Sequence, residues 1–311
     1  MGWPDRIRVL ERGWLSSNQL VFVDDDGASV LDTGYVSEAD ETLRLLDTAL
    51  AGMPLRRIFN THIHSDHAGG NAALQARHPG CRTLIPPGEA QAVAAWDTTA
   101  LSHDRLSQDC PRFTHDGVFH PGETLHLGGE DWAVLPAPGH DHAMVMLWCE
   151  RLGLLASADA LWQRGFGVVF PELDGVSGFA EQAPTLDAIG QLAPRWVVPG
   201  HGAPFGGAAV DEALVAARAR IAWLASDPRA HGLHALKVLI AFKLMAARQL
   251  SRAALTAIVQ TRLDAGPGLR AALADSRGEP PEAASLATLL CAQLADAGVL
   301  RMAGGVAEST R

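Results

Sequence analysis

Thr61-His62-Ile63-His64-Ser65-Asp66-His67-Ala68-Gly69-Gly70 sets three histidines and one aspartate within six positions and then turns on a glycine pair. Imidazole nitrogen and carboxylate oxygen are the donors that zinc, iron and manganese accept. Histidines two residues apart cannot share a helix face, so this is not the helical two-histidine zinc motif. In an irregular loop the same spacing lets His62 and His64 grip one ion while Asp66 and His67 turn towards a second.

Outward from this loop, the pattern is one of strands with helices between them. Ile7 to Leu10, Leu20 to Val23 and Ala28 to Leu31 read as strands, the last two joined as a hairpin by Asp24-Asp25-Asp26-Gly27. Ser37 and Asp40 suggest a capping box opening a helix that runs to about Leu50. Arg57 to Asn60 is a short strand leading into the loop, and helices follow at about 69–77 and 88–96 around a strand at Cys81 to Ile85. Residues 97–117 lack a period and read as a polar surface excursion, a lid beside the site. Two hairpins follow, at 123–135 and 144–156, then helices at 179–191 and 208–225 around a strand at Trp196 to Val198. Two mixed sheets packed together with helices outside are expected.

Ser226-Asp227-Pro228 breaks the last of these helices, which divides the chain into residues 1–226 and 227–311. Helices are expected at about 232–248, 251–261, 265–275 and 284–297, with a hairpin at Val299 to Met302 and Gly304-Gly305. Residues 231–311 carry nine Lys/Arg against six Asp/Glu, while residues 1–230 carry 16 against 29. The net charge of −10 advertises no nucleic-acid surface. The scattered cysteines Cys81, Cys110, Cys149 and Cys291 point to no disulfide framework. No apolar run follows Met1 to Arg6 and no uninterrupted run of 18 apolar residues exists, so a cytoplasmic protein without a membrane span is expected.

Three later segments repeat one design, an apolar run, a sharp turn and a ligand-type residue: Trp132 to His140, Leu154 to Asp159 and Trp196 to His201. Groups at strand ends are held rigidly yet remain free to converge. Seven residues stand out: His62, His64, Asp66, His67, His140, Asp159 and His201. Three histidines can hold one metal, Asp66, His67 and His201 a second, and Asp159 can bridge. Two divalent ions, zinc first with iron or manganese as alternatives, would lower the pKa of a shared water and polarise a carbonyl.

This set resembles the metallo-β-lactamase superfamily over residues from about 5 to 225, through His62-x-His64-x-Asp66-His67, Pro138-Gly139-His140, Ser157-Ala158-Asp159, Pro199-Gly200-His201 and Asp32-Thr33-Gly34. The resemblance implies an α+β fold, an αββα sandwich with a dinuclear site at one sheet edge, and attack by a metal-bridging hydroxide. It gives Asp66 a catalytic role, as ligand and orienter of that hydroxide, and places Asp32 behind the ligands rather than on a metal. A bridging aspartate is similar to the glyoxalase II, lactonase, phosphodiesterase and RNase branches, whereas drug-hydrolysing relatives usually place Cys or Ser there. Trp162 stands where the quorum-signal lactonases carry Tyr. The tail resembles the winged-helix appendage of lactamase-like endoribonucleases.

Asp32, His142, Trp162, Arg164 and Phe166 are the further candidates: His142 as a donor near the metals, Trp162 and Phe166 as an apolar substrate wall, Arg164 as partner of a substrate carboxylate. The function expected is a metal-dependent hydrolase acting on a small thioester or lactone. A nuclease or phosphodiesterase gripping its substrate with the tail is the alternative, with β-lactam hydrolysis and a non-enzymatic iron-binding role behind it. The partner expected is a small molecule rather than nucleic acid or membrane, and a homodimer is compatible with the chain.

Overall fold

The computed structural model describes residues 3–310. Strands β1 (Ile7–Leu10), β2 (Gln19–Asp24), β3 (Gly27–Leu31), β4 (Leu55–Phe59), β5 (Arg82–Ile85) and β6 (Gly117–Val118) form one sheet in sequence order. β1 to β3 pair antiparallel and β3 to β6 parallel. Strands β7 (Thr124–Leu127), β8 (Glu130–Pro136), β9 (Val145–Cys149), β10 (Leu154–Ala158), β11 (Trp196–Pro199) and β12 (Phe205–Gly206) form the second sheet, again mixed, with β10 and β11 parallel.

Alternation along the strands decides which face each side chain meets. Leu20 and Phe22 of β2, Trp132 and Val134 of β8, and Leu147 and Cys149 of β9 share one core between the sheets. The intervening residues turn outward. Val21 and Val30 pack under α1 (Ala39–Leu50), and Met146 and Leu155 under the later helices α6 (Phe179–Leu192) and α7 (Ala208–Ser226). The layers are therefore helix, sheet, sheet, helix. Between α1 and α6 the chain forms α2 (Ser65–Ala68), α3 (Asn71–Arg77), α4 (Ala90–Ala95) and α5 (Phe170–Leu173).

Asp227 ends α7 and caps α8 (Pro228–Ala247), its side chain accepting from the Ala230 N–H at 2.9 Å. Beyond it lie β13 (Gln249–Ser251), α9 (Arg252–Ala265), α10 (Pro267–Leu273), α11 (Ala283–Asp296), β14 (Leu300–Ala303) and β15 (Val306–Ser309). The three strands form a small antiparallel sheet with β15 in the middle. These helices bury a core of their own, closed by Val168 and Leu173 from the preceding segment. By length and composition α8 is apolar enough to cross a membrane; here 44% of its most apolar stretch is buried inside the protein.

Two expectations need correction. No side-chain cap opens α1: its N-cap is Glu38, and a 3₁₀ turn over Val36–Glu38 precedes it. Glu38 is drawn away to the Arg12 guanidinium at 3.3 Å and to the Ser16 hydroxyl. Residues 97–117 are not a loose surface excursion. Leu101, Leu106 and Phe113 are buried, and buried His103 donates to the Ile63 carbonyl at 2.9 Å. The polar composition conceals these four anchors because they follow no helical or strand period.

Candidate metal centre

Every member of the centre stands just past the end of a strand. Asp32 follows β3, His62 to His67 follow β4 and enter α2, His140 follows β8, Asp159 follows β10 and His201 follows β11. The two sheets thus deliver all of them to one edge. Gly200 is required by close approach: a Cβ there would strike the Asp159 carboxylate. Gly139 adopts φ +141°, which favours glycine. The loop backbone is clamped as well, Ile63 donating its N–H to the Glu89 carboxylate at 3.0 Å while its carbonyl accepts from His103.

The donors form two buried groups. His62, His64 and His140 make one; Asp66, His67, Asp159 and His201 make the other, Asp66 being partly exposed. His64 Nδ1 lies 3.0 Å from His62 Nε2 and 2.8 Å from His140 Nε2. In the second group His201 Nε2 lies 3.1 Å from Asp66 Oδ2. Asp159 faces both, with Oδ2 3.4 Å from His140 Nε2 and Oδ1 3.3 Å from His67 Nε2.

The hydrogen bonds behind the ring fix the tautomers. His140 donates Nδ1–H to the Val168 carbonyl at 2.6 Å, so its Nε2 carries a lone pair. Thr61 donates its hydroxyl to Asp32 Oδ2 at 2.9 Å and therefore accepts from His62 Nδ1 at 3.1 Å, which leaves a lone pair on His62 Nε2. Two lone pairs thus converge on His64 Nδ1, and a single proton there can satisfy only one of them. His67 donates Nδ1–H to Asp32 Oδ2 at 2.8 Å, and its Nε2 is buried without a hydrogen-bond partner. A cation satisfies all of these nitrogens together, so the donor set fits divalent metal at both groups.

Electrostatics agree with that reading. Burial, aided by neighbouring imidazoles, holds His62 well below the usual imidazole range and draws His140 down to about 4. Burial also draws His64 to about 4, against the pull of Asp66. These three are neutral imidazoles at pH 7, the form in which histidine can hold a metal. Burial opposes charge on His67, but Asp32 and Asp159 outweigh it and raise it well above its ordinary value. Burial would likewise raise Asp159 and Asp66, yet His67 and His201 hold the first and His201 the second below the ordinary carboxylate range. The second group therefore calls for positive charge at its centre.

A cavity of about 350 Å³ opens beside the centre. Trp162, Arg164 and Phe166 line it, as the sequence suggests, and the Trp162 indole N–H donates to Asp159 Oδ1 at 3.2 Å. His142 does not reach it: it is exposed and pairs with Glu181 of α6. Several lining residues carry no sequence signal. Trp14 stacks on His201 with ring centroids 5.7 Å apart, and Phe242 and Met245 arrive from α8. Arg220 of α7 and His234 of α8 also line it.

The family model for the metallo-beta-lactamase superfamily matches residues 12–201, from the first loop to the last donor, and the chain belongs to that superfamily. Among curated proteins, the hydroxyacylglutathione hydrolase of Stenotrophomonas maltophilia (strain R551-3) is 32% identical over 151 residues, 48% of either chain. That of Methylococcus capsulatus (strain ATCC 33009 / NCIMB 11132 / Bath) is 26% identical over 57% of this chain and 58% of its own. The chain thus spans about half the length of these curated relatives. Among solved structures, a metallo-beta-lactamase family protein from Thermus thermophilus superposes with a TM-score of 0.54 at 17% identity, over 99% of both chains. A beta-lactamase domain protein from Burkholderia ambifaria gives 0.56 at 24% identity, over 100% of this chain and 94% of its own. These two cover the C-terminal helices as well, so the whole architecture is shared.

Proposed function

We propose that the protein is a metal-dependent hydrolase that cleaves a carbonyl ester bond, a thioester before a lactone, with two divalent ions held by the two donor groups. The observation that carries this reading is Asp159, a buried carboxylate facing both groups on the wall of an apolar cavity. When bound, such ions polarise a carbonyl oxygen and lower the pKa of water towards neutrality. His62, His64 and His140 would hold one; Asp66, His67 and His201 the other, with Asp159 between them. The name of the curated relatives specifies an acyl-glutathione bond, which is a thioester, and this supports the ranking.

The chain's own residues supply position and proton handling. Trp162 pins Asp159 by an indole N–H, a donor that has no proton-accepting lone pair, so its part is orientation. Asp66 remains ionised and partly exposed on the cavity wall, where its carboxylate can take a proton from the attacking water. The aromatic walls exclude bulk water and strengthen charge interactions inside.

The nuclease alternative meets a physical difficulty. In a winged-helix grip, a helix of the appendage lies against the phosphates and needs Lys or Arg. Helix α11, which stands directly before the β14–β15 hairpin as the reading helix of a winged helix would, contains neither.

Metal content by elemental analysis, followed by turnover of thioesters, lactones, nitrocefin and bis-p-nitrophenyl phosphate, tests the reading. Activity on thioesters that is lost with chelator, and in His62→Ala and Asp159→Ala, is expected. A purified protein that takes up no metal, or Asp159→Ala at full rate, would refute it.

A further inference from the structure

The cavity does not end among its aromatics. It reaches Arg220 and His234, where it adjoins a second cavity of about 870 Å³ lined by the same two residues together with Arg164 and Lys237. No Asp or Glu lines that second cavity. The carboxylates lining the first, Asp66 and Asp159, belong to the metal centre. Among the described residues no carboxylate pairs with Arg164, Arg220 or Lys237.

Arg220 is held in a defined pose. One guanidinium N–H donates from Nη2 to His234 Nε2 at 2.8 Å, and Cζ lies 5.7 Å from the centroid of the Phe166 ring. Its Nε is buried without a partner. His234 accepts through Nε2 and is thus neutral; burial and the charge of Arg220 draw it down to about 4. A guanidinium with one donor on a neutral imidazole, its face on an aromatic ring and further donors unspent is a preformed fork for an oxyanion. An arginine serving only to brace α7 against α8 would find its cheapest partner in a carboxylate, and none is there.

We propose that Arg220, oriented by His234 and flanked by Arg164 and Lys237, receives an oxyanion, carboxylate or phosphate, carried on an apolar body by the substrate at the end remote from the bond cleaved. The substrate class is then an anionic amphiphile, its apolar part lying along Trp162, Phe166 and Phe242. This deepens the hydrolase reading and rests on it for the word substrate, while the binding step can be measured without turnover.

The experiment uses the metal-loaded protein and calorimetric titration with octyl phosphate, octanoate, uncharged octanamide and inorganic phosphate. Octyl phosphate and octanoate should bind the wild type more tightly than octanamide, and more tightly than inorganic phosphate. Arg220→Met should lose about ten- to a hundred-fold for the two amphiphilic anions and little for octanamide. Arg220→Lys, which keeps charge but not the fork, should fall between, and Lys237→Met at the rim should lose less. Anions that bind Arg220→Met as tightly as wild type sit at the metals and overturn the proposal, as does inorganic phosphate binding as tightly as octyl phosphate. If Arg220→Met does not fold, equal affinity in wild type, Arg220→Lys and Lys237→Met is the overturning result. With turnover, a thioester bearing an ω-carboxylate should show a raised KM and unchanged kcat in Arg220→Lys, while its ω-methyl ester shows neither change. Arg220-dependent binding without hydrolysis of any ester would sink the hydrolase reading and leave the anion receptor standing; hydrolysis indifferent to Arg220 would do the reverse.

Discussion

Asp32→Asn separates the role of a proton from the role of a shape. Asp32 accepts from the Thr61 N–H at 2.8 Å, from the Thr61 hydroxyl at 2.9 Å and from His67 Nδ1–H at 2.8 Å. Its backbone sits at φ +61°, a left-handed conformation that asparagine adopts as readily as aspartate, so the substitution adds no backbone strain. The amide oxygen of asparagine can still accept from the Thr61 N–H. Its NH₂ then faces two donors, and His67 must reverse its tautomer so that Nδ1 accepts. The proton moves to His67 Nε2, the atom that otherwise offers its lone pair among Asp66, Asp159 and His201. Partners of this kind are worth about 10–100-fold in metal affinity, or about 1.4–2.7 kcal/mol. The expected outcome is selective: one ion per chain is held as in wild type by His62, His64 and His140, while the second weakens by that factor. Calorimetric zinc titration with elemental analysis reads both sites, and the melting temperature of the metal-free protein should move little. Two ions bound with wild-type affinity would refute the tautomer argument; equal weakening of both would show that Asp32 shapes the whole loop rather than one nitrogen.

Other outcomes follow from the same geometry. Arg262 is 1% exposed, and its Nη2 donates to Asp174 Oδ1 at 2.7 Å, while Nε and Nη1 are buried without partners. Asp174→Ala strands that charge and should cost about 3–5 kcal/mol in urea unfolding; adding Arg262→Met should recover most of it, and a single-variant loss below about 1 kcal/mol would contradict the assignment. His234 has a folded-state pKa drawn to about 4, against about 6.5 when unfolded. Between those values the unfolded chain binds the extra proton, so stability present above pH 6.5 is lost as pH falls towards 4, by about 3 kcal/mol in total. In metal-free protein, wild type should therefore show a steeper fall in stability from pH 6.5 to 4 than His234→Phe; parallel curves would show that His234 does not titrate differently on folding. Trp162→Phe removes the indole N–H from Asp159 but keeps the wall, and should lower kcat by roughly ten-fold with metal content unchanged, since one hydrogen bond to a charged group is at stake. A rate equal to wild type would mean that Trp162 only packs.

Much of the fold was legible because its periodicities are local. The β2–β3 hairpin declares itself through two short apolar runs around the Asp25-Asp26 turn, and the break between α7 and α8 through Pro228 with Asp227 before it. The segment 97–117 was not legible, because Leu101 and Phe113, which pack in one cluster with Ile63 and Ala68, and His103, which bonds the Ile63 carbonyl, are spaced by those contacts rather than by any period of their own. The capping box at Ser37 failed for a related reason: a long-range partner, Arg12, competes for the carboxylate beside it, and tertiary context overrides local preference.

The donor residues and the residues that surround them differ in legibility for a physical cause. A metal site demands rare residue types at fixed spacing, and the loop from His62 to His67 shows both, with His140, Asp159 and His201 repeating the strand-end design. A substrate wall asks only for apolar bulk at the right place in space, which any core residue also satisfies. Trp14, Phe242 and Met245 therefore look like ordinary packing until the fold brings α8 over the cavity. Arg220 and His234 are the intermediate case. Each is common on a helix, and only their 2.8 Å contact, beside two cavities and away from any carboxylate, gives the pair a meaning. The proposed anion receptor puts ligand choice where helices α7 and α8 meet the sandwich. On the proposed reading, changing the residues along that seam would alter which ester is bound without disturbing the seven candidate donors.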